Sequence, residues 1–505
     1  MNALARTAQI AVIGAGAMGA GIAQVAAQAG HSVLLFDVRE GAALAAMDRI
    51  GQNLDKLVAK GRLAEEAAKQ IQGAMRVIDT LDGLADADLV IEAIVEDIQA
   101  KRDLFVEVEK RVRPEALLAT NTSSVSVTAI AAPLKHPERF AGLHFFNPAP
   151  LMALVEVIAG LATSPQTRQC LFETARAWGK EPVQARSTPG FIVNRVARPF
   201  YAEALRLLEE GVADVATLDA LVREGGGFRM GPFELMDLIG HDVNAAVTRS
   251  VFESYFQDPR FKPSLLQQEL VAAGRLGRKS GRGFYDYTDG AIRPVAQEAP
   301  DGPQPVSVCV EGDMGPAEVL VEALQRAGVN VERLPGAGLM RLAGATLALT
   351  EGRSATARSA EDDVQDLVLF DLALDYAKPG RIALAKADQA SNSAIGAAAQ
   401  LFRQVGWSVS VVDDSPALVV MRTVAMLANE AADAVLQGVA CPEDIDRAMC
   451  FGTNYPRGPL AWAQGLGAHR VLQVLANLQS HYGDDRYRPS AWLRRRAISQ
   501  QSLLS

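Results

Sequence analysis

Gln9-Ile10-Ala11-Val12-Ile13 runs directly into Gly14-Ala15-Gly16-Ala17-Met18-Gly19, and an Ala-rich stretch then leads to Val33-Leu34-Leu35-Phe36-Asp37. A short apolar run, a G-x-G-x-x-G turn opening a helical pattern and a second run ending in an acid form one βαβ unit that cradles a dinucleotide. Each part has a physical task. Gly14 permits the tight turn, Gly16 lets a pyrophosphate approach the backbone, and Gly19 lets the helix pack against the strand. The helix start offers free N–H groups and a positive dipole end to phosphate. Asp37 can accept hydrogen bonds from a ribose 2′-hydroxyl and repels a 2′-phosphate. Residues Gly14 to Gly19 and Asp37 are therefore expected to hold NAD, although Arg39 two positions on leaves NADP open.

Outward from this unit, apolar runs recur at Leu89–Ile91, Leu117–Ala119 and Leu143–Phe146, separated by helical patterns such as Glu40–Lys60 and Asp97–Val112. Such alternation predicts a doubly wound α/β domain around a parallel sheet. The β signal stops at Pro189, and long helical patterns follow to about residue 280. A stretch rich in Pro, Asp and Gly at Pro294–Pro305 marks a boundary. A chain of 505 residues exceeds one core.

The second half repeats the first. The offset of 227 that carries Pro189 onto Pro416 also carries Arg195, Glu203, Gly211, Asp219, Gly231, Pro232 and Gly240 onto Arg422, Glu430, Gly438, Asp446, Gly458, Pro459 and Gly467. Ser164 with Ser391 and Gly179 with Gly406 extend the register upstream. An internal duplication is the reading. The expected organisation is a Rossmann-type domain over 1–187, a helical domain over 188–288, a linker with a degenerate Rossmann-type domain over 289–412, and a second helical domain over 413–505.

Composition excludes several classes. A net charge of −9 gives no basic field for nucleic acid or anionic lipid. Cys170, Cys309, Cys441 and Cys450 show no CxxC and no ligand-like spacing with the six histidines, so neither a disulfide framework nor a metal site is expected. Ala8–Gly30 has the length of a membrane span, but its glycines and glutamines fit the dinucleotide turn instead. No secretory signal is visible, and a cytoplasmic location is expected.

Further candidates follow the fifth apolar region. His144, in His144-Phe145-Phe146-Asn147-Pro148, suits a general base, since imidazole titrates near neutrality. Glu156, within Leu154-Val155-Glu156-Val157-Ile158, could orient it, because a carboxylate in a buried strand needs a donor or cation. On spacing alone, the pair equally fits a hydrogen-bonded strand-end histidine and a solvated edge carboxylate. Within Glu40–Lys60, Arg49, Asn53, Lys56 and Lys60 share one face while Leu44, Met47, Leu54, Leu57 and Val58 supply an apolar stripe. A basic stripe of this kind fits a solvated face as well as an anion-binding one.

The phrases Ser123-Ser124, Phe140–Pro148, Leu154–Ile158, Thr188–Arg195, Met230–Leu235 and Gly281–Tyr285 resemble the 3-hydroxyacyl-CoA dehydrogenase family, continuously from Ile10 to about Tyr287. The resemblance implies oxidation of a (3S)-3-hydroxyacyl-CoA thioester by NAD, with His144 as base and Glu156 as its partner. It places substrate-oxygen contacts on Ser123 and Asn194, and coenzyme A contacts on Asn53 and Lys60. It adds cofactor contacts at Glu96, Lys101, Asn147 and Lys279. The long duplicated form resembles the bacterial branch that acts on 3-hydroxyadipyl-CoA in phenylacetate breakdown, with 3-hydroxybutyryl-CoA as the alternative substrate. Non-catalytic crystallin-like relatives and dehydrogenases of free hydroxy acids are the other readings. The kept His–Glu pair speaks against the first, and Lys56 with Lys60 against the second.

In the second copy Asp371, Ala383 and Met421 replace His144, Glu156 and Asn194, and Val310 stands where Gly14 would. One active site is expected, in the first half, with the second copy serving packing. Short relatives dimerise through the helical domain, so the second helical copy is expected to occupy that partner surface within one chain; a homo-oligomer is a separate expectation.

Overall fold

The computed structural model describes residues 2–505. They form two compact units: the chain up to Arg195 together with Gln437–Thr453, and Val196–Leu436 together with Asn454–Ser505.

The first unit is built on eight strands: β1 Gln9–Ile13, β2 Ser32–Phe36, β3 Met75–Val77, β4 Leu89–Glu92, β5 Leu117–Thr120, β6 Phe140–Phe145, β7 Leu154–Ala159 and β8 Glu181–Arg186, in the order β3-β2-β1-β4-β5-β6-β7-β8. Reversal of strand order beside β1 creates the crevice at the carboxyl ends of β1 and β4 where doubly wound sheets take ligands. Ile10, Val12, Val33, Leu35, Leu89 and Ile91 are wholly buried, as strands covered on both faces require.

The parallel expectation needs one correction. β7 runs antiparallel to β6. Only the eight residues Phe146–Ala153 separate the two strands, and a parallel crossover needs about a dozen or more. The second helical pattern also ends inside its expected bounds, at Ala42–Ala59. Ala43, Ala46, Ile50 and Leu54 form its buried stripe, whereas Leu44 is 61% exposed rather than packed. Ala residues this short pack closely, which a stripe of large apolar side chains overlooks.

Helix Pro442–Thr453 belongs to the same unit and lies against β7 and β8. The backbone N–H of Gln184 donates to the Asp444 carboxylate (3.1 Å), and that of Arg186 to the Val439 carbonyl (2.8 Å).

In the second unit, helices between Arg198 and Ala272 accompany a seven-stranded sheet: β9 Ser307–Glu311, β10 Asn330–Leu334, β11 Leu339–Leu342, β12 Ala345–Leu349, β13 Leu367–Phe370, β14 Arg381–Lys386 and β15 Ser408–Val411. Both β11 pairings are antiparallel. The stretch read as a bare linker is pinned to this sheet by Ala299 N–H on the Val409 carbonyl (2.7 Å).

Candidate active site

The glycine loop explains itself through what side chains would strike. Gly14 has φ +102°, and a Cβ there would lie 2.4 Å from the Ala93 carbonyl oxygen; one on Gly19 would lie 1.7 Å from the Gly14 carbonyl oxygen. At Gly16, by contrast, nothing lies within 4 Å, so its open face is free for a ligand. A cavity of about 650 Å³ opens there, bordered by Gly14, Gly16, Asp37, Ile94 and Val95. Helix Ala17–Gln28 starts beside it with no side-chain cap, leaving its first N–H groups to a phosphate. The Asp37 carboxylate accepts the Ala15 N–H (2.8 Å) and is paired with Arg39 (3.1 Å). Burial works against its charge, but the Arg39 and Ala15 hydrogen bonds prevail and hold it down at about 2. Its ionised state at neutral pH suits ribose hydroxyls. The residues present fit a dinucleotide with an unmodified 2′-hydroxyl.

A second cluster sits past β4 and β5. One oxygen of Glu96 accepts the Thr122 hydroxyl (2.7 Å) and the N–H groups of Ser123 (2.8 Å) and Ser124 (2.9 Å). Its other oxygen faces Lys101 (3.2 Å), whose ammonium also bonds Glu92 at 2.6 Å. Burial opposes the Glu96 charge, yet the Thr122 bond and the Lys101 ammonium bring it to about 2. Lys101 is 1% exposed and saturated by two carboxylates. It fixes Glu96 and does not itself reach into the cleft.

The antiparallel β6–β7 pairing sets His144 directly opposite Glu156. Cross-strand partners point to the same face, and His144 Nδ1 lies 2.7 Å from Glu156 Oε2 with both side chains buried. An ionised carboxylate only accepts, so the ring proton belongs on Nδ1 and the lone pair on Nε2. Glu156 Oε1 accepts the N–H groups of Ile192 and Val193, each at 3.0 Å. The ring itself packs against Phe146 and Phe191.

Asn194 follows that turn and donates to the Ser123 carbonyl (3.4 Å), so the structure brings Ser123, Asn194, His144 and Glu156 into one unit. Asn147, exposed, stands two residues past the end of β6. Asn53 and Lys60 lie exposed on helix Ala42–Ala59 and just past its end, and Lys60 has no carboxylate partner among the described residues. Lys279 lies in the other unit, paired with Asp242 at 2.6 Å. Two supports were missed from the sequence. Asn121 accepts the Phe145 N–H (2.8 Å), and Arg49, read as part of the basic stripe, instead donates to the Ala15 carbonyl of the glycine loop (3.0 Å). A lone Asn after a strand carries no signal, and four-residue spacing cannot show which way a long side chain turns.

Fold, glycine loop and acid-held cleft define an NAD-dependent dehydrogenase. Residues 9–188 match the profile of the 3-hydroxyacyl-CoA dehydrogenase NAD binding domain, residues 190–287 and 418–502 that of its C-terminal domain, and residues 347–416 that of the 3-hydroxybutyryl-CoA dehydrogenase reduced Rossmann-fold domain. A 3-hydroxyadipyl-CoA dehydrogenase of Escherichia coli K12 is 46% identical over 490 residues, 97% of each chain. A probable 3-hydroxybutyryl-CoA dehydrogenase of Deinococcus radiodurans is 44% identical over 276 residues, 99% of that chain and 55% of this one. The crystal structure of a 3-hydroxybutyryl-CoA dehydrogenase from Escherichia coli K12 superposes with a TM-score of 0.89 at 45% identity, covering 98% of both chains. The chain belongs to the 3-hydroxyacyl-CoA dehydrogenase family. Among the described residues no helix is long and apolar enough to cross a membrane.

Proposed function

We propose that the chain oxidises a (3S)-3-hydroxyacyl-CoA to the 3-oxoacyl-CoA, with 3-hydroxyadipyl-CoA as its substrate in a cytoplasmic pathway of aromatic breakdown. The observation that carries this is the buried His144–Glu156 pair with its free ring nitrogen. His144 Nε2 takes the hydroxyl proton, while Glu156 fixes the tautomer and stabilises the resulting cation. Ser123 and Asn194 position the oxygen. NAD⁺, when bound, supplies the acceptor for the hydride leaving carbon 3. Gly14, Ala15, Gly16, Ala17, Met18, Gly19 and Asp37 hold it, with Glu96, Asn147 and Lys279 as further contacts and Lys101 positioning Glu96. Asn53 and Lys60 meet coenzyme A.

The boundaries proposed are 1–187, 188–288, 289–412 and 413–505. One active site lies in the first half, the second copy serves packing, and the protein assembles as a homo-oligomer. Support for the diacid comes from the Escherichia coli 3-hydroxyadipyl-CoA dehydrogenase, similar over 97% of both chains. Support for the shorter substrate comes from the name of the 3-hydroxybutyryl-CoA dehydrogenase crystal structure. A panel of 3-hydroxyacyl-CoA thioesters of differing length and terminal charge, assayed for NADH formation, separates them. Oxidation of 3-hydroxyadipyl-CoA at the highest kcat/KM is expected; no NADH from any thioester would remove the proposal.

A further inference from the structure

Glu92 is a charge buried in the first unit, outside the set of residues that meets cofactor or substrate. It ends β4, is wholly buried, and stands beside Thr120, the last residue of β5, in the parallel register. One of its oxygens accepts the Ile94 N–H (2.7 Å) and the Lys101 ammonium (2.6 Å), the other the Thr120 hydroxyl (2.6 Å). Lys101 comes from helix Ile98–Glu109 and also faces Glu96 Oε2 at 3.2 Å. Two carboxylates thus share one buried ammonium. Burying such charges is costly, and apolar side chains of equal volume often fill the same space without loss of stability. Packing alone does not call for this arrangement.

The far end of the array is overfilled. Glu96 Oε1 lies within hydrogen-bond distance of five donors: the Thr122 hydroxyl, the N–H groups of Ser123 and Ser124, and the hydroxyls of Ser123 (3.2 Å) and Ser124 (3.0 Å). A carboxylate oxygen has about two lone-pair sites, so the five cannot all bond at once. The two serine hydroxyls are the longest of these contacts. The Ser123 backbone is held on both sides, its N–H by Glu96 and its carbonyl by Asn194 (3.4 Å). Its hydroxyl is the part free to change partner.

We propose that Lys101, anchored by Glu92, occupies Glu96 so that the Ser123 hydroxyl can donate its hydrogen bond to the substrate oxygen instead. The inference rests on the functional reading, which sets Ser123 at that oxygen. The substrate hydroxyl has one proton, and that proton goes to His144, so Ser123 has to act there as a donor. A Ser123 hydroxyl bonded to Glu96 has no hydrogen left to offer. The Lys101 charge weakens Glu96 as the competing acceptor, while Thr122 and the two N–H groups meet the rest of its demand. Lys101 and Glu92 are positioning residues, acting on the reacting oxygen through Ser123.

The test is a double-mutant cycle in the full-length enzyme, with 3-hydroxyadipyl-CoA and NAD⁺ both saturating. Ser123→Ala should lower kcat by about 10²–10³-fold, the usual worth of one donor to a developing oxyanion. Lys101→Met should lower it about 10- to 100-fold, as loss of a charge-assisted hydrogen bond does, with NADH affinity close to the parent by fluorescence titration. The doubly substituted enzyme should be no slower than Ser123→Ala, because without the hydroxyl Lys101 has nothing to release. Lys101→Gln keeps a donor but no charge and carries the same expectation as Lys101→Met. Losses that multiply in the double variant would give Lys101 a duty apart from Ser123 and overturn the proposal. So would a Lys101→Met enzyme with the parent's kcat, whether or not NADH binding weakens, or failure of both Lys101 variants to fold. A Ser123→Ala enzyme with the parent's kcat would sink the functional reading at Ser123, and the proposal with it.

Discussion

The two oxygens of Glu156 have separate duties, one on the His144 ring and one on the backbone of Ile192 and Val193. His144→Gln should therefore lower kcat by about 10²–10⁴-fold, the usual value of general-base assistance, while leaving the thermal midpoint and NAD⁺ affinity close to the parent. Glu156→Gln should lose turnover and also stability, because an amide nitrogen cannot accept the hydrogen bonds that it would replace. Combined, the losses in kcat should fall well short of multiplying. Steady-state kinetics and thermal unfolding of the three variants check this, and a folded His144→Gln enzyme with most of its turnover refutes the mechanism. Asp37 gives a second residue-level expectation. Its carboxylate is charged and holds the Arg39 guanidinium. Asp37→Ala removes a partner for the ribose hydroxyls and frees that cation, so the preference for NAD⁺ over NADP⁺ should narrow. Equal kcat/KM with both cofactors in the parent enzyme would count against the assignment.

At the scale of elements, the same clamp occurs in both copies with a different donor of the carboxylate. Asp371, at the offset position of His144, accepts the N–H groups of Val419 and Val420 (3.0 and 2.7 Å), the counterparts of Ile192 and Val193, and those of Leu372 and Met421 as well. The acid has crossed the strand pair, from the place of Glu156, now Ala383, to the place of the lost histidine. Asp371→Ala should thus cost on the order of 2–4 kcal/mol of stability through unpaired backbone donors, yet leave kcat per folded molecule unchanged. Burial raises Asp371 from 3.8 to about 6 against those four N–H groups. A group raised on folding contributes fully below its unfolded value and loses that contribution as pH rises through its folded value. The stability advantage of the parent over Asp371→Asn should accordingly narrow between about pH 4 and 6. Urea unfolding across that window measures it, and a widening gap contradicts the assignment. The duplication was legible because backbone demands survive sequence drift. Gly179 and Gly406 both have positive φ, as do Gly211 with Gly438 and Gly240 with Gly467, and Ser164 and Ser391 both precede their helices. The His144–Glu156 contact was harder to read, since it depends on β7 reversing direction. The short Phe146–Ala153 connection held that information.

For the whole molecule, the duplication shows in matched contacts, one in each unit. In the first unit Arg186 N–H donates to the Val439 carbonyl and Arg195 to Gln437 (2.9 Å); in the second, at the same offset, Asp413 N–H donates to the Val212 carbonyl and Arg422 to Glu210 (3.0 Å). Each sheet copy thus closes against a turn from the helical copy of the other half. Only one copy keeps a dinucleotide cradle. A Cβ at Gly315 would meet the Arg470 guanidinium at 2.4 Å, and the first-turn acid Glu318 takes the Met314 N–H (3.1 Å), so the corresponding helix start is already occupied by this chain's own groups. A segment of the second half, Gln437–Thr453, completes the first unit. The Deinococcus radiodurans relative matches only 55% of this chain. Truncation after Tyr287 removes Gln437–Thr453 from β7, β8 and the Val193 turn, where Gly452 lies so close to Leu154 and Val193 that a Cβ would come within 2.5 and 3.1 Å of them. The exposed apolar face should drive the 1–287 fragment to self-associate at micromolar concentration, and sedimentation should show dimers or larger species with NADH-forming activity confined to them. A stable 1–287 monomer with the parent's turnover would show that the second half is dispensable to the first.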